Sequence, residues 1–174
     1  DHFPVSADIR LPVPTTLTAT EDAFIQDGEY AETNFGSVGL VVKSGLKAGY
    51  SRRACLKFDL NGITSVSQAI LRVYGSNTES TATVSINVQS ANDNWTEHTV
   101  TWNNPPSGGR YLKTANINST ARYYDWDVTS FVKSEAAGDG IASFILYQAH
   151  EANLYTSWNS REASTNKPVL VITP

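Results

Sequence analysis

The sequence predicts an all-β fold, a jelly-roll-like β-sandwich of antiparallel strands with one short helix. Apolar and polar residues alternate with period two in short runs, the mark of half-buried strands. Gly, Asn, Asp and Pro punctuate those runs as they do in sandwiches and barrels. Hydrophobic residues make up 40% of the 174 positions and charged residues 17%, which is enough apolar side chain for one domain core. Long helix-forming runs of Ala, Leu, Glu and Lys are missing.

Residues 1–18, with Pro4, Pro12 and Pro14 among Thr and Ser, read as a linker or lead-in strand, and the folded module is expected over 19–174. Arg53–Leu60 is the clearest strand. It places Ala54, Leu56, Phe58 and Leu60 on one face and Arg53, Cys55, Lys57 and Asp59 on the other, outward face. Asn61-Gly62 ends it with turn chemistry. Further strands are expected at Ser67–Tyr74, Thr81–Ser90, Tyr123–Asp127, Ile141–Tyr147, Leu154–Trp158 and Pro168–Thr173. The one helix candidate is Thr129–Ala137, with Asp127 or Thr129 to cap its first turn and Gly138 to close its last.

Charge is segregated. Five of the 13 basic residues, Lys43, Lys47, Arg52, Arg53 and Lys57, fall within positions 43–57, and no Asp or Glu occurs from Thr33 to Phe58. Without those five, 8 basic residues face 17 acidic ones, a balance of −9 in the rest of the chain. A concentrated positive field on an otherwise acidic protein points to a polyanionic partner. One local basic cluster on such a chain argues against nucleic acid. No apolar stretch approaches the roughly 20 residues that span a bilayer. The lone Cys55 excludes an internal disulfide and reads as a small strand residue. A start at Asp1 without Met is read as a mature or excised piece of a longer precursor.

Several strings resemble those of the DNRLRE family, also classed as family 96 carbohydrate-binding modules and related to disaggregatase-type repeats. They are Asp22–Gly36 (DAFIQDGEYAETNFG), Arg53–Leu60 (RACLKFDL), Ala69–Tyr74 (AILRVY), Asn94–Pro106 (NWTEHTVTWNNPP), Trp126–Thr129 (WDVT) and Ser160–Ala163 (SREA), in the family's order over about residues 19–174. The resemblance implies a β-sandwich module of a larger secreted bacterial enzyme, such as a polysaccharide lyase. It also implies binding of an acidic glycan, alginate above all, by basic and aromatic side chains on an exposed face. The matching positions are Lys43, Lys47, Arg52 and Arg53, with Lys57 beside them.

The residue chemistry agrees in kind. A uronate chain carries carboxylates at sugar intervals, so its reader needs several spaced cations, with Arg as planar fork and Lys as point charge. Tyr50, Tyr147 and Tyr155 are the candidate sugar platforms, whereas Trp158 reads as core, and Trp95 and Trp102 as clamps holding the Asn92–Pro106 loop. Asp22, Asp27 and Asn34, with Glu29 and Glu32 nearby, offer hard oxygens for a structural calcium, though turn chemistry explains them equally well. No cofactor is required. His2, His98 and His150 fit no zinc spacing, and no catalytic or phosphate-cradling motif is present. The expected function is a non-catalytic, monomeric carbohydrate-binding module that targets an attached secreted catalytic domain to an acidic polysaccharide. The alternatives are a structural or adhesive surface module binding a protein partner, and a small polysaccharide lyase.

Overall fold

In the computed structural model, which describes residues 11–174, eleven strands pair into two sheets, antiparallel throughout. The strands are β1 (Thr15–Thr18), β2 (Glu21–Gln26), β3 (Leu40–Val42), β4 (Arg52–Asp59), β5 (Gln68–Asn77), β6 (Val84–Ala91), β7 (Gly108–Ile117), β8 (Arg122–Asp127), β9 (Ile141–Gln148), β10 (Thr156–Trp158) and β11 (Val169–Thr173). The helix α1 (Thr129–Ala136) follows β8. The five-stranded sheet runs β2-β4-β9-β6-β7. The six-stranded sheet is organised on β5, whose one edge takes β8 while the other takes β11 along its first half and β10 along its second. β1 pairs with β11 and β3 with β10. This is the sandwich the alternation predicts.

The register sets two poles. Thr15 pairs with Ile172 and Thr173 with Gln68, so β1 begins and β11 ends side by side at the start of β5. At the far end of β5, Val42, Thr156 and Asn77 form one row across three strands.

Between the sheets, Leu56 and Phe58 of β4, Ile86 and Val88 of β6, and Phe144 and Leu146 of β9 meet Leu71, Val73, Tyr124, Trp126, Trp158 and Leu170 of the other sheet. Trp126 is fully buried, and its Nε1–H donates to the Ile86 carbonyl at 3.0 Å, linking the two sheets by a polar contact inside the core. The Trp158 ring lies 5.8 Å from Trp126 and 5.9 Å from Tyr124, and its Nε1–H donates to Thr156 Oγ1, so Trp158 is core as expected. In α1, Asp127 Oδ1 accepts from the Thr129 N–H and hydroxyl, and those bonds hold its carboxyl below the usual range. The left-handed backbone that closes this segment is at Gly140 (φ 80°) rather than at Gly138.

Two findings differ from the sequence expectation, and a third chooses between its alternatives. Of the two readings of residues 1–18, Thr15–Thr18 follows the lead-in strand, with β1 joining the six-stranded sheet at its edge, while residues 1–10 lie outside the described residues. Strands β2, β3 and β7 were not expected. Most important, the second face of β4 is not outward along its length. Cys55 is fully buried there with Ala23, Ile25, Ile145, Trp95 and Val100 in a second apolar cluster. The loop of residues 92–106 roofs the outer face of the five-stranded sheet, and Trp95 Nε1–H donates to Ser143 Oγ of β9 at 3.3 Å. Burial pushes the Cys55 thiol up to about 12, so it stays a neutral thiol and not a nucleophile.

Trp95→Ala should remove about 3–5 kcal/mol of stability, because the roof and the sheet cannot collapse into the void. Urea denaturation followed by tyrosine fluorescence and circular dichroism measures it. Trp126→Phe, which keeps the ring packing but removes the hydrogen bond to the Ile86 carbonyl, should cost about 0.5–1.5 kcal/mol in the same assay.

Candidate functional site

At the pole where Val42, Thr156 and Asn77 align, the chain leaves each strand within one or two residues of a polar side chain: Lys43 after β3, Tyr155 before β10, and Glu79 beyond β5. The five-stranded sheet ends at the same level with Gln26, Arg52 and Gln148. A backbone bridge joins the sheets here, with the Lys43 N–H donating to the Arg52 carbonyl at 3.0 Å and the Arg52 N–H to the Lys43 carbonyl at 2.8 Å. That bridge closes the loop 44–51 at its base.

The loop is then fastened from all sides. The Ser44 N–H donates to Gln148 Oε1, the Ser51 N–H to Asp27 Oδ1, and Gln26 Nε2 to the Gly49 carbonyl, each at 2.8 Å. Gln148 Nε2 in turn holds the Leu154 carbonyl. Gly28 (φ 68°) approaches Gly49 so closely that a Cβ on it would stand 2.3 Å from the Gly49 nitrogen. Only glycine fits there, because both the dihedral and the backbone contact exclude a side chain.

On this frame the expected cations and aromatics of separate segments converge. Arg52 sits 5.5 Å over the Tyr155 ring, and Lys43 Nζ lies 5.9 Å from both Tyr50 and Tyr155. Arg53 stacks 5.0 Å from Trp102. A groove of about 210 Å³ is lined by Lys43, Arg52, Arg53, Trp102, Tyr147 and Glu151 among others. Arg52 also lines a second hollow of about 430 Å³, on the side of Tyr30, Phe35 and Tyr50. Tyr147 flanks Asn87, whose Oδ1 accepts the Thr114 hydroxyl, so the exposed part of the outer sheet face continues as a polar floor.

The five cations do not form one equivalent patch. Lys43 is 7% exposed and bonded at 3.0 Å to Glu79, whose carboxyl it holds below the usual range. Lys57 lies four residues further along β4 than Arg53, about 13 Å at strand spacing, bonded to Glu21 at 2.8 Å and to the Trp95 carbonyl. Neither ammonium is available as the sequence suggests, because each has an acid supplied by a distant segment. Arg52 makes its bonds to Gln26 Oε1 and the Tyr50 carbonyl, and no salt bridge among the described residues engages Arg52, Arg53 or Lys47. Lys47 and Tyr50 are exposed on the loop, Tyr50 by 51%. The zone without acids in sequence is therefore not without acids in space, since Glu79 and Glu151 enter it. Sequence reasoning assigned Trp102 to structure alone, yet it both packs on the Trp95 cluster and walls the groove. Gln148 and Glu151 carried no sequence signal.

The acidic residues Asp22, Asp27 and Asn34 do not come together. Asp27 caps Ser51, and Asn34 staples the roof, its Nδ2 donating to the Glu97 and Val100 carbonyls at 2.8 Å while its Oδ1 accepts the Gly36 N–H. Asp22 is instead buried beside Glu97 and Arg161. Burial pushes the Asp22 carboxyl up to about 7, against the opposing Arg161 N–H bond. Burial would raise Glu97 too, but the paired bonds from Arg161 at 2.7 Å outweigh it and hold Glu97 low. A larger hollow, of about 470 Å³, lies by Lys57, Asp59 and Asp139, with the one ammonium already paired and no aromatic lining. No helix among the described residues is long and apolar enough to cross a membrane.

Comparison with known proteins agrees with this architecture. A gellan lyase from a Bacillus species is 28% identical over 167 residues, a match that takes in 90% of this chain and 6% of that enzyme. The chain thus corresponds to a small fraction of the relative's length. The sequence profile of carbohydrate-binding module family 96 matches residues 13–174, nearly the whole described chain. A two-sheet sandwich bearing a basic and aromatic groove at one pole, matched along its length by that profile, belongs to carbohydrate-binding module family 96.

Proposed function

We propose that this module reads an acidic polysaccharide, an alginate-like uronan, and holds an attached secreted bacterial enzyme on that substrate without catalysing a reaction itself. The observation that carries the reading is the convergence of Arg52, Arg53, Trp102 and Tyr147 on one groove from segments far apart in sequence, with the Tyr155 ring packed against Arg52 beside it. Arg53 and Arg52 present guanidinium groups without acidic partners, and each can meet a sugar carboxylate with two hydrogen bonds. Tyr147, Tyr155 and Trp102 supply the faces on which sugar rings lie. Lys47 and Tyr50 extend the contact along the loop.

Arg52 and Arg53 are held in place before any ligand arrives, by Gln26, the Tyr50 carbonyl and the two aromatic rings. Prior ordering reduces the entropic cost of binding. Gellan is an acidic polysaccharide, and a relative named for it, of which this chain matches 6%, supports a module within a larger polysaccharide-degrading enzyme. The module acts as a monomer and needs no cofactor for this contact.

Affinity electrophoresis in gels containing alginate, gellan or a neutral glucan tests the reading. Retention should appear with the acidic polymers, fall as salt is raised, and be absent with the glucan. Equal retention in all gels sinks the charge argument, and no retention in any favours a protein-binding surface module. Arg52→Ala and Arg53→Ala should each weaken binding about tenfold or more, the loss of a charge-assisted contact of about 1.5–3 kcal/mol. Lys57→Ala should leave retention unchanged, which separates the groove from general basicity. Incubation with each polymer should give no rise in ultraviolet absorbance from unsaturated uronate; such a rise would mark the chain as a lyase.

A further inference from the structure

We propose that Asp22, Glu97 and Glu162 form a binding site for one hard divalent cation, calcium by its chemistry, apart from the glycan groove. One carboxylate oxygen from each lies within 4.8 Å of the other two. Ligand oxygens that share a calcium ion at about 2.3–2.6 Å stand at most about 5 Å apart, so the three already fit one coordination sphere. They come from β2, from the roof and from the turn after β10.

The independent mark of a ligand is Asp22 Oδ1. The Asp22 side chain is fully buried, and its Oδ2 accepts the Arg161 N–H at 2.7 Å. Oδ1 accepts no hydrogen bond among the described residues, the one buried side-chain oxygen or nitrogen of which that is true. Buried polar atoms without a partner are rare and call for a specific cause. Charge supplies a second argument. The Arg161 guanidinium meets both oxygens of Glu97 at 2.7 Å and Glu162 at 3.2 Å, so three carboxyl groups share one guanidinium, and one negative charge remains with Asp22 protonated and two once it is ionised. A divalent cation balances them. His98 approaches Glu97 at 3.6 Å, but its side chain is 72% exposed and adds little.

The donor set is oxygen alone, which suits calcium rather than zinc. Magnesium demands shorter, octahedral bonds and keeps its water, so a wide carboxylate triad suits it less. Exposed Glu162 provides the way in. A second acidic group, Asp93, Glu135 and Asp139, has similar spacing but contains no buried oxygen without a partner, since Asp93 accepts the Ser143 hydroxyl. It serves as the internal comparison.

The test uses the full chain freed of metal with EGTA, then titrated with calcium, magnesium or terbium. Calcium at a hundredfold excess over its Kd should raise the melting midpoint by about 5–11 °C, magnesium should raise it less, and terbium should give tryptophan-sensitised luminescence that calcium displaces. Glu162→Gln, a change at an exposed side chain, should weaken terbium binding tenfold or more, and Asp22→Asn should abolish it, while Asp139→Asn changes nothing. Absence of both the midpoint shift and the luminescence overturns the site. So does an unchanged response in Glu162→Gln, or a response lost in Asp139→Asn, which would move the ion to the other acidic group.

Discussion

At their centres, around Cys55 and Ile145, strands β4 and β9 are apolar on both faces, and a sheet with two apolar faces must be covered on both. The inner face meets the other sheet through Leu56, Phe58, Phe144 and Leu146. The outer face, with Cys55 and Ile145, is left to a loop, and residues 92–106 supply Trp95 and Val100 as the cover. Much of the functional surface follows from that obligation. The roof stops short of the sheet's end, and its last aromatic, Trp102, stands as a wall beside Arg53. Where the cover ends, the groove begins. The same roof carries Glu97 down to Asp22 and Arg161, so the apolar clamp and the acidic cluster are two consequences of one loop descending onto the sheet.

Much of the sandwich was legible from period-two alternation, because strands with one face in the core advertise it. Val84, Ile86 and Val88 against Ser85 and Asn87 are such a case. The strands that escaped have physical reasons. β2 is buried at nearly every position and therefore does not alternate, β3 is three residues long, and β7, at a sheet edge, exposes most of Gly108–Ile117. The alternation places Cys55 on the outward face, because period two tells the faces apart but not what lies over the second one. The cover is a loop without periodicity, and only its tryptophans hinted at it.

The candidate site shows the same division. Its cations and tyrosines were visible as residue types, and Arg52, Arg53, Tyr147 and Tyr155 do share a locality. What the local charge count could not contain is pairing at long range. Glu79 comes from 36 residues away to bond Lys43, and Glu21 from equally far to bond Lys57. The result is a narrower positive surface carried by Arg52 and Arg53 with Lys47 on the loop, while Lys43 and Lys57 become structural ties. Asp22, placed by sequence with Asp27 and Asn34, finds its true neighbours 75 and 139 residues on.

The placement of the poles governs how the module sits in a longer polypeptide. The first and last strands finish together beside Gln68, whereas the groove forms beyond Asn77, so the ten residues of β5, about 33 Å of extended chain, separate the two. Strands β1 and β11 therefore meet at the pole opposite the candidate groove. Under the proposed reading, a sandwich built this way is a rigid spacer whose gripping tip and whose β1 and β11 ends stand at opposite poles, clear of each other.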